Sequence, residues 1–128
     1  MVSLLIVSHS PHIAAGVKEL ADQMTGGAVL IAAVGGTQDG RLGTSPDQIR
    51  TACESIAGPD GVLVLVDLGS AVLSAETALE GMQHPVRLSN APLVEGAVLA
   101  AVEASVGGDL QQTADAAERA RTLQKLGA

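Results

Sequence analysis

The sequence predicts a three-layer α/β domain: a mainly parallel sheet, strand order 2-1-3-4, with helices on both faces. Three observations carry this expectation. The apolar runs "SLLIVS" (3–8), "AVLIAAV" (28–34) and "GVLVLVDL" (61–68) are short and continuous. They lack the in–out alternation of a half-solvated sheet, so they read as strands covered on both sides. The stretches between them carry apolar residues at helical spacing, and strand–helix alternation of this kind folds through right-handed crossovers. Finally, the chain has no Phe, Tyr or Trp, yet 47% of its residues are hydrophobic, so Val, Ile, Leu, Ala and Met must build the core. At 128 residues a single domain spanning 1–128 is expected.

The first strand ends in "SHSPH", where Ser10-Pro11 offers an N-cap followed by proline at the first helical position. The helix then carries Ile13, Val17, Leu20 and Met24 as its apolar stripe. The second strand runs into the glycine-rich loop "GGTQDGRLGTS" (35–45), which matches neither a P-loop nor a dinucleotide fingerprint. Ser45-Pro46-Asp47-Gln48 repeats the cap and adds capping-box spacing. Ile49, Ala52, Cys53 and Ile56 follow at helical intervals, which puts the single cysteine on a buried face rather than at a reactive surface. After the third strand, Gly69-Ser70 introduces "AVLSAETALEGM", with Val72, Ala75, Leu79 and Met82 in one stripe. A weaker strand is expected at "PVRLS" (85–89), then a buried helix over 90–105 beginning after Asn90. The polar stretch 106–128 reads as an amphipathic surface helix.

Composition excludes several functions. Fourteen acidic against seven basic residues give a net charge of −7, the wrong sign for a phosphate backbone. Without aromatics there is nothing on which bases could stack, so no nucleic-acid partner is expected. No apolar run approaches a membrane span and no basic leader precedes the first strand, so a cytoplasmic protein is expected.

In open α/β sheets, ligands bind beyond the carboxyl ends of the strands where the strand order reverses. With the order 2-1-3-4 that crevice lies between the first and third strands, and His9 and Asp67 face each other across it. A carboxylate bonded to one imidazole nitrogen fixes the tautomer and leaves the other nitrogen's lone pair free to attack. Helices starting near Ser10 and Gly69 would aim backbone N–H groups into the same space, a setting that accepts anions. Gly36 and Thr37, after the second strand, and Gly69 and Ser70, after the third, are the further candidates for holding phosphate oxygens. Plainer roles compete: a strand-end histidine often closes a turn, and Asp67 is the ordinary cap for a following helix. His12 and His84 read as surface residues. No metal cluster and no cofactor are expected.

"MVSLLIVSHSPHIAAGVKELADQM", "GTS", "VLVLVDLGSAVLSAETALE" and "LSNAPLVEGA" together resemble the phosphotransfer subunit of phosphoenolpyruvate-dependent dihydroxyacetone kinases (DhaM type), a branch of the mannose-type IIA domains. The likeness covers about residues 1–106. It implies that His9 accepts a phosphoryl group from the phosphohistidine of the carrier HPr and passes it to ADP on the nucleotide-binding subunit of the kinase. It also implies that Asp67 is the carboxylate beside the histidine, that Gly69 and Ser70 form the phosphate-receiving turn, and that the protein forms a homodimer. Some relatives continue into further carrier domains, and with this chain ending at Ala128 those functions are expected from separate proteins.

Three other readings stay open on the sequence. A mannose-type transporter component would use the same histidine but a sugar-specific recipient; "DLGSA" favours the kinase branch. A small tetrapyrrole chelatase would follow its strand-end histidine with "HGSR", where this chain has "HSPH". A binding module without phosphoryl chemistry would have no need of both His9 and Asp67.

Overall fold

The computed structural model describes residues 1–127. Four parallel strands form one sheet in the order β2-β1-β3-β4: β1 (Ser3–Ser8), β2 (Ile31–Gly35), β3 (Val62–Val66) and β4 (Val86–Leu88). In register, Ser8 lies beside Gly35 and Val7 beside Val66, so the carboxyl ends of the three longer strands share one edge. The helices are α1 (Pro11–Thr25), α2 (Pro46–Ile56), α3 (Gly69–Ala78), α4 (Leu93–Ser105) and α5 (Leu110–Glu118), followed by a 3₁₀ turn at Arg119–Thr122.

Alternate strand residues feed two cores, which makes the three layers. Leu4, Ile6, Leu63 and Leu65 pack against alanines of α1, α4 and α5. Leu5, Val7, Val62 and Val64 pack against Ile49, Cys53 and Ile56 of α2 and against Ala71 and Ala78 of α3. With no aromatics, small faces let helices sit close to the sheet. At Gly96 of α4 a Cβ would fall 2.7 Å from Ala91 Cβ and 3.2 Å from Leu65 Cδ2.

That preference for small faces corrects several expectations. In α1 the buried residues are Ala14, Val17 and Ala21, while Ile13 and Met24 are more than half exposed. In α3 they are Ala71, Ala75 and Ala78; Val72 is only partly covered, and Leu79 and Met82 close the end of the core. Both helices present mainly alanine to the sheet, with Val17 of α1 the larger exception. Helix α4 starts at Leu93 rather than after Asn90, because Pro92 holds its predecessor out of the helical region and takes the cap position itself. The second strand begins at Ile31, leaving Leu30 exposed, and the third ends at Val66. The tail is not one surface helix. Asp109 and Gln112 form a capping box, and α5 buries Thr113, Ala114, Ala116 and Ala117. The 3₁₀ turn then ends it, with Leu123 and Leu126 exposed beyond; Ala128 lies outside the described residues.

Candidate functional site

His9 is the first residue past β1 and Asp67 the first past β3, and because these strands are neighbours their side chains meet at the sheet edge. The Asp67 carboxylate receives four donors. Ser8 Oγ donates at 2.9 Å and the His9 N–H at 2.9 Å, both to Oδ2. His9 Nδ1 lies 3.0 Å and the Leu68 N–H 2.8 Å from Oδ1. Burial on its own would raise the Asp67 carboxyl, but these donors outweigh it and hold the group below its ordinary value of 3.8. An ionised carboxylate can only accept, so Nδ1 must be the protonated ring nitrogen.

The other ring nitrogen, Nε2, then carries the lone pair, and the Ser70 hydroxyl donates to it at 2.8 Å. Ser70 sits in the first turn of α3, which has no side-chain cap because leucine, Leu68, holds the cap position; Asp67 just before it turns back to His9. The cap role that competes for Asp67 on sequence grounds is thus limited to one contact, the Leu68 N–H. A Cβ at Gly69 would meet nothing within 4 Å, so the approach to this helix end is open. The His9 side chain keeps a quarter of its surface exposed, 25% against 15% for Asp67. An open cleft of 680 Å³ runs along the loop after β2 from Thr37 to Asp47 and includes neither His9 nor Asp67. The His9 ring is partly exposed at the sheet edge.

The other expected residues lie around this pair with their groups engaged. Ser10 Oγ caps α1 by accepting from the Ile13 N–H at 3.3 Å. The Thr37 hydroxyl donates to Asp39 and accepts from the Arg41 N–H within its own loop. Gly36, at φ +79°, is packed between the Arg41 carbonyl and the Pro11 ring, so a side chain there would be both strained and crowded. His12 and His84 are exposed. Among the described residues no three of His, Cys, Asp or Glu come together as a metal site would require.

Three neighbours, Ser8, Gly43 and Thr44, escaped sequence reasoning, while Gly35, a strand-end residue expected near the site, gains its reason only here. Ser8 is fully buried and bridges the Ser10 N–H to Asp67; a buried hydroxyl ending a strand needs a partner, and that was its signal. Gly35 lets β2 pass the β1–α1 turn, since a Cβ there would stand 2.6 Å from the Ser10 carbonyl oxygen. Gly43 donates its N–H to the His9 carbonyl at 2.9 Å, and the Thr44 hydroxyl lies 2.7 Å from that of Ser74. Nothing local in the sequence of a glycine-rich loop announces the last two.

Residues 3–114 match the EIIA-man family model, described as the PTS system fructose IIA component. The chain is 46% identical over 127 residues to the phosphoryl donor subunit DhaM of the PEP-dependent dihydroxyacetone kinase of Pantoea ananatis, covering 94% of this chain and 27% of that one. It is 42% identical to the corresponding subunit of kinase 2 of Listeria innocua, covering 83% of this chain and 88% of that one. The chain thus spans about a quarter of the length of some curated relatives and most of the length of others. Among solved structures, a protein of unknown function superposes with a TM-score of 0.82 at 38% identity, covering 98% of both chains. A sigma-54 interaction domain protein from Enterococcus faecalis, at 18% identity and TM-score 0.71 over 94% of this chain and 90% of that one, shares the fold.

Proposed function

The chain belongs to the EIIA-man family, and on that premise we propose that its residues 1–128 act as one phosphotransfer domain of a dihydroxyacetone kinase system. It takes a phosphoryl group from the phosphohistidine of HPr, holds it on His9, and delivers it to ADP on the nucleotide-binding subunit of the kinase. The names of its relatives, each a phosphoryl donor subunit of such a kinase, support the choice of recipient. The observation that carries the reading is the two-sided hold on His9: Asp67 on Nδ1, the Ser70 hydroxyl on Nε2.

The chemistry follows from that hold. With the proton on Nδ1 directed at Asp67, the Nε2 lone pair attacks phosphorus as the Ser70 hydroxyl swings from the nitrogen to a phosphoryl oxygen. The bond between phosphorus and the donor imidazole breaks, and its electron pair returns to the donor nitrogen. His9 then bears phosphate on Nε2 and a proton on Nδ1, a ring with positive character that the Asp67 carboxylate stabilises. The uncapped N–H groups at the start of α3, at Gly69 and Ser70, receive oxygens of the transferring group, where fixed dipoles contribute most. Ser10, Gly36 and Thr37, whose groups are engaged in caps and packing, shape the rim. The second transfer reverses these steps: a β-phosphate oxygen of ADP attacks phosphorus and Nε2 leaves with the electron pair.

The exposed Leu42, Leu68 and Leu73 lie on the segments around His9 and offer apolar contact to each partner in turn. A homodimer and a cytoplasmic setting belong to the same proposal; no described helix is long and apolar enough to cross a membrane. The test is a relay. The protein is charged from phosphoenolpyruvate through enzyme I and HPr, purified, and offered to a kinase nucleotide-binding subunit loaded with ADP. Discharge with formation of ATP is the expected result. Discharge only to a sugar-transporter component would replace the recipient, and failure to charge would reject the carrier role.

A further inference from the structure

Hydrogen bonds and one turn of α3 close into a ring around His9 that passes through three residues with no contact to the imidazole, Ser74, Thr44 and Gly43. His9 Nε2 meets the Ser70 hydroxyl at 2.8 Å. Ser70 and Ser74 stand four residues apart in α3 and so share one face of that helix. The Ser74 hydroxyl meets Thr44 Oγ1 at 2.7 Å, and the neighbouring Gly43 N–H returns to the His9 carbonyl at 2.9 Å. One segment, 43–44, therefore holds the backbone of His9 and the helix that carries Ser70 together. That matters because α3 has no side-chain cap of its own, and its side-chain link to the loop is Thr44–Ser74.

From this ring we infer that Thr44 is a positioning residue for phosphoryl transfer at His9, acting with Ser74 through α3 to set the Ser70 hydroxyl on Nε2. The inference rests on the reading of His9 as the phosphoryl carrier. The two hydroxyls are partly buried and each is the other's partner, so one arrangement is strongly favoured. Without the bridge, the first turn of α3 is still anchored by Ala71 in the core and by the junction through Asp67, but nothing polar fixes the face that carries Ser70 against the loop. Ser70 then samples positions in which its hydroxyl reaches neither Nε2 nor an incoming phosphoryl oxygen. Displacement of a transferring group's contacts by even a fraction of an ångström is costly, since the reacting atoms must stay in line.

The test uses Thr44→Val, which keeps the shape and removes the hydroxyl, Thr44→Ser, which restores it, and Ser74→Ala. The full chain is charged by phosphorylated HPr in single-turnover experiments, and the His9 ring nitrogens of the uncharged protein are followed by ¹⁵N NMR. Thr44→Val and Ser74→Ala should each slow charging about tenfold, equivalent to roughly 1.4 kcal/mol, with the apparent affinity for HPr unchanged. The double variant should be no slower than either single one, because one bridge is lost in all three. In Thr44→Val the Nε2 resonance should move toward that of an imidazole nitrogen without a hydroxyl donor, and Thr44→Ser should restore both rate and resonance. Parental rate and resonance in Thr44→Val would overturn the inference, as would a Thr44→Ser variant that behaves like valine. The nitrogen measurement needs no phosphoryl donor. A parent that fails to charge would therefore reject the carrier reading, while the Nε2 resonance would still decide whether Thr44 sets Ser70.

Discussion

Replacing Asp67 by asparagine changes one atom and should damage both stability and transfer. The carboxylate takes four donors, two on each oxygen. An asparagine can satisfy only two of them with its carbonyl oxygen, and its NH₂ group would turn donors toward the other two. At 15% side-chain exposure the orphaned groups are poorly reached by water. One of each pair can adapt, the Ser8 hydroxyl by turning to accept or Nδ1 by giving up its proton, so one backbone N–H is left without an acceptor; at about 1–3 kcal/mol for a buried donor, a loss of about 2 kcal/mol is expected. For a chain of this size that is a fall in melting temperature of roughly 8 °C. The His9 tautomer is affected as well: if the NH₂ group faces Nδ1, the proton moves to Nε2 and the nucleophilic lone pair is lost. The analogous substitution beside a catalytic histidine costs about 10⁴ in rate, and a loss of 10² or more is expected here. Thermal melting and rapid-quench charging by phosphorylated HPr measure the two effects separately. An Asp67→Asn variant that melts within 1 °C of the parent and charges at a similar rate would refute the reasoning.

Three further outcomes follow from particular contacts. Because the Asp67 pKa is lowered in the folded protein, its contribution to stability is complete above the ordinary value of 3.8 and fades as pH falls through the folded value. Denaturant midpoints should therefore drop more steeply in acid for the parent than for Asp67→Asn, and parallel profiles would contradict this. Gly35→Ala places a methyl 2.6 Å from the Ser10 carbonyl oxygen, where backbone must move; a loss of about 1–3 kcal/mol is expected in urea melts, and an unchanged midpoint would show that the turn yields freely. Burial pushes the Cys53 thiol up, so it should resist a thiol reagent in the native protein and react at once in denaturant; fast native labelling would place it outside the core.

Much of the molecule was legible before its structure because its signals are local. The apolar runs marked the strands, the two Ser-Pro steps marked the starts of α1 and α2, and the residues just past those runs are the ones that meet at the sheet edge. His9, Asp67 and Ser70 were found that way. The expected stripes of α1 and α3 hold at Val17 and Ala75 and fail at Ile13, Met24 and Val72 for one physical reason. A stripe ranked by hydrophobicity favours Ile13 and Met24, whereas a core without aromatics closes best on alanines that let helices approach the sheet. Ser8 sat inside a quoted motif, but its importance appears only once its burial is known. The Thr44–Ser74 contact joins segments 30 residues apart through an irregular loop, so no spacing rule could have paired them.

The most direct measurement is a long-range ¹H–¹⁵N correlation spectrum of the protein, labelled with ¹⁵N-histidine and charged from phosphoenolpyruvate through enzyme I and HPr. The His9→Ala variant would be treated alongside. A phosphoryl group on His9 Nε2, with Nδ1 still protonated and no phosphohistidine in the variant, is the predicted result. Phosphorus on His9 Nδ1, on His12, or on no histidine while HPr is demonstrably charged would contradict the account.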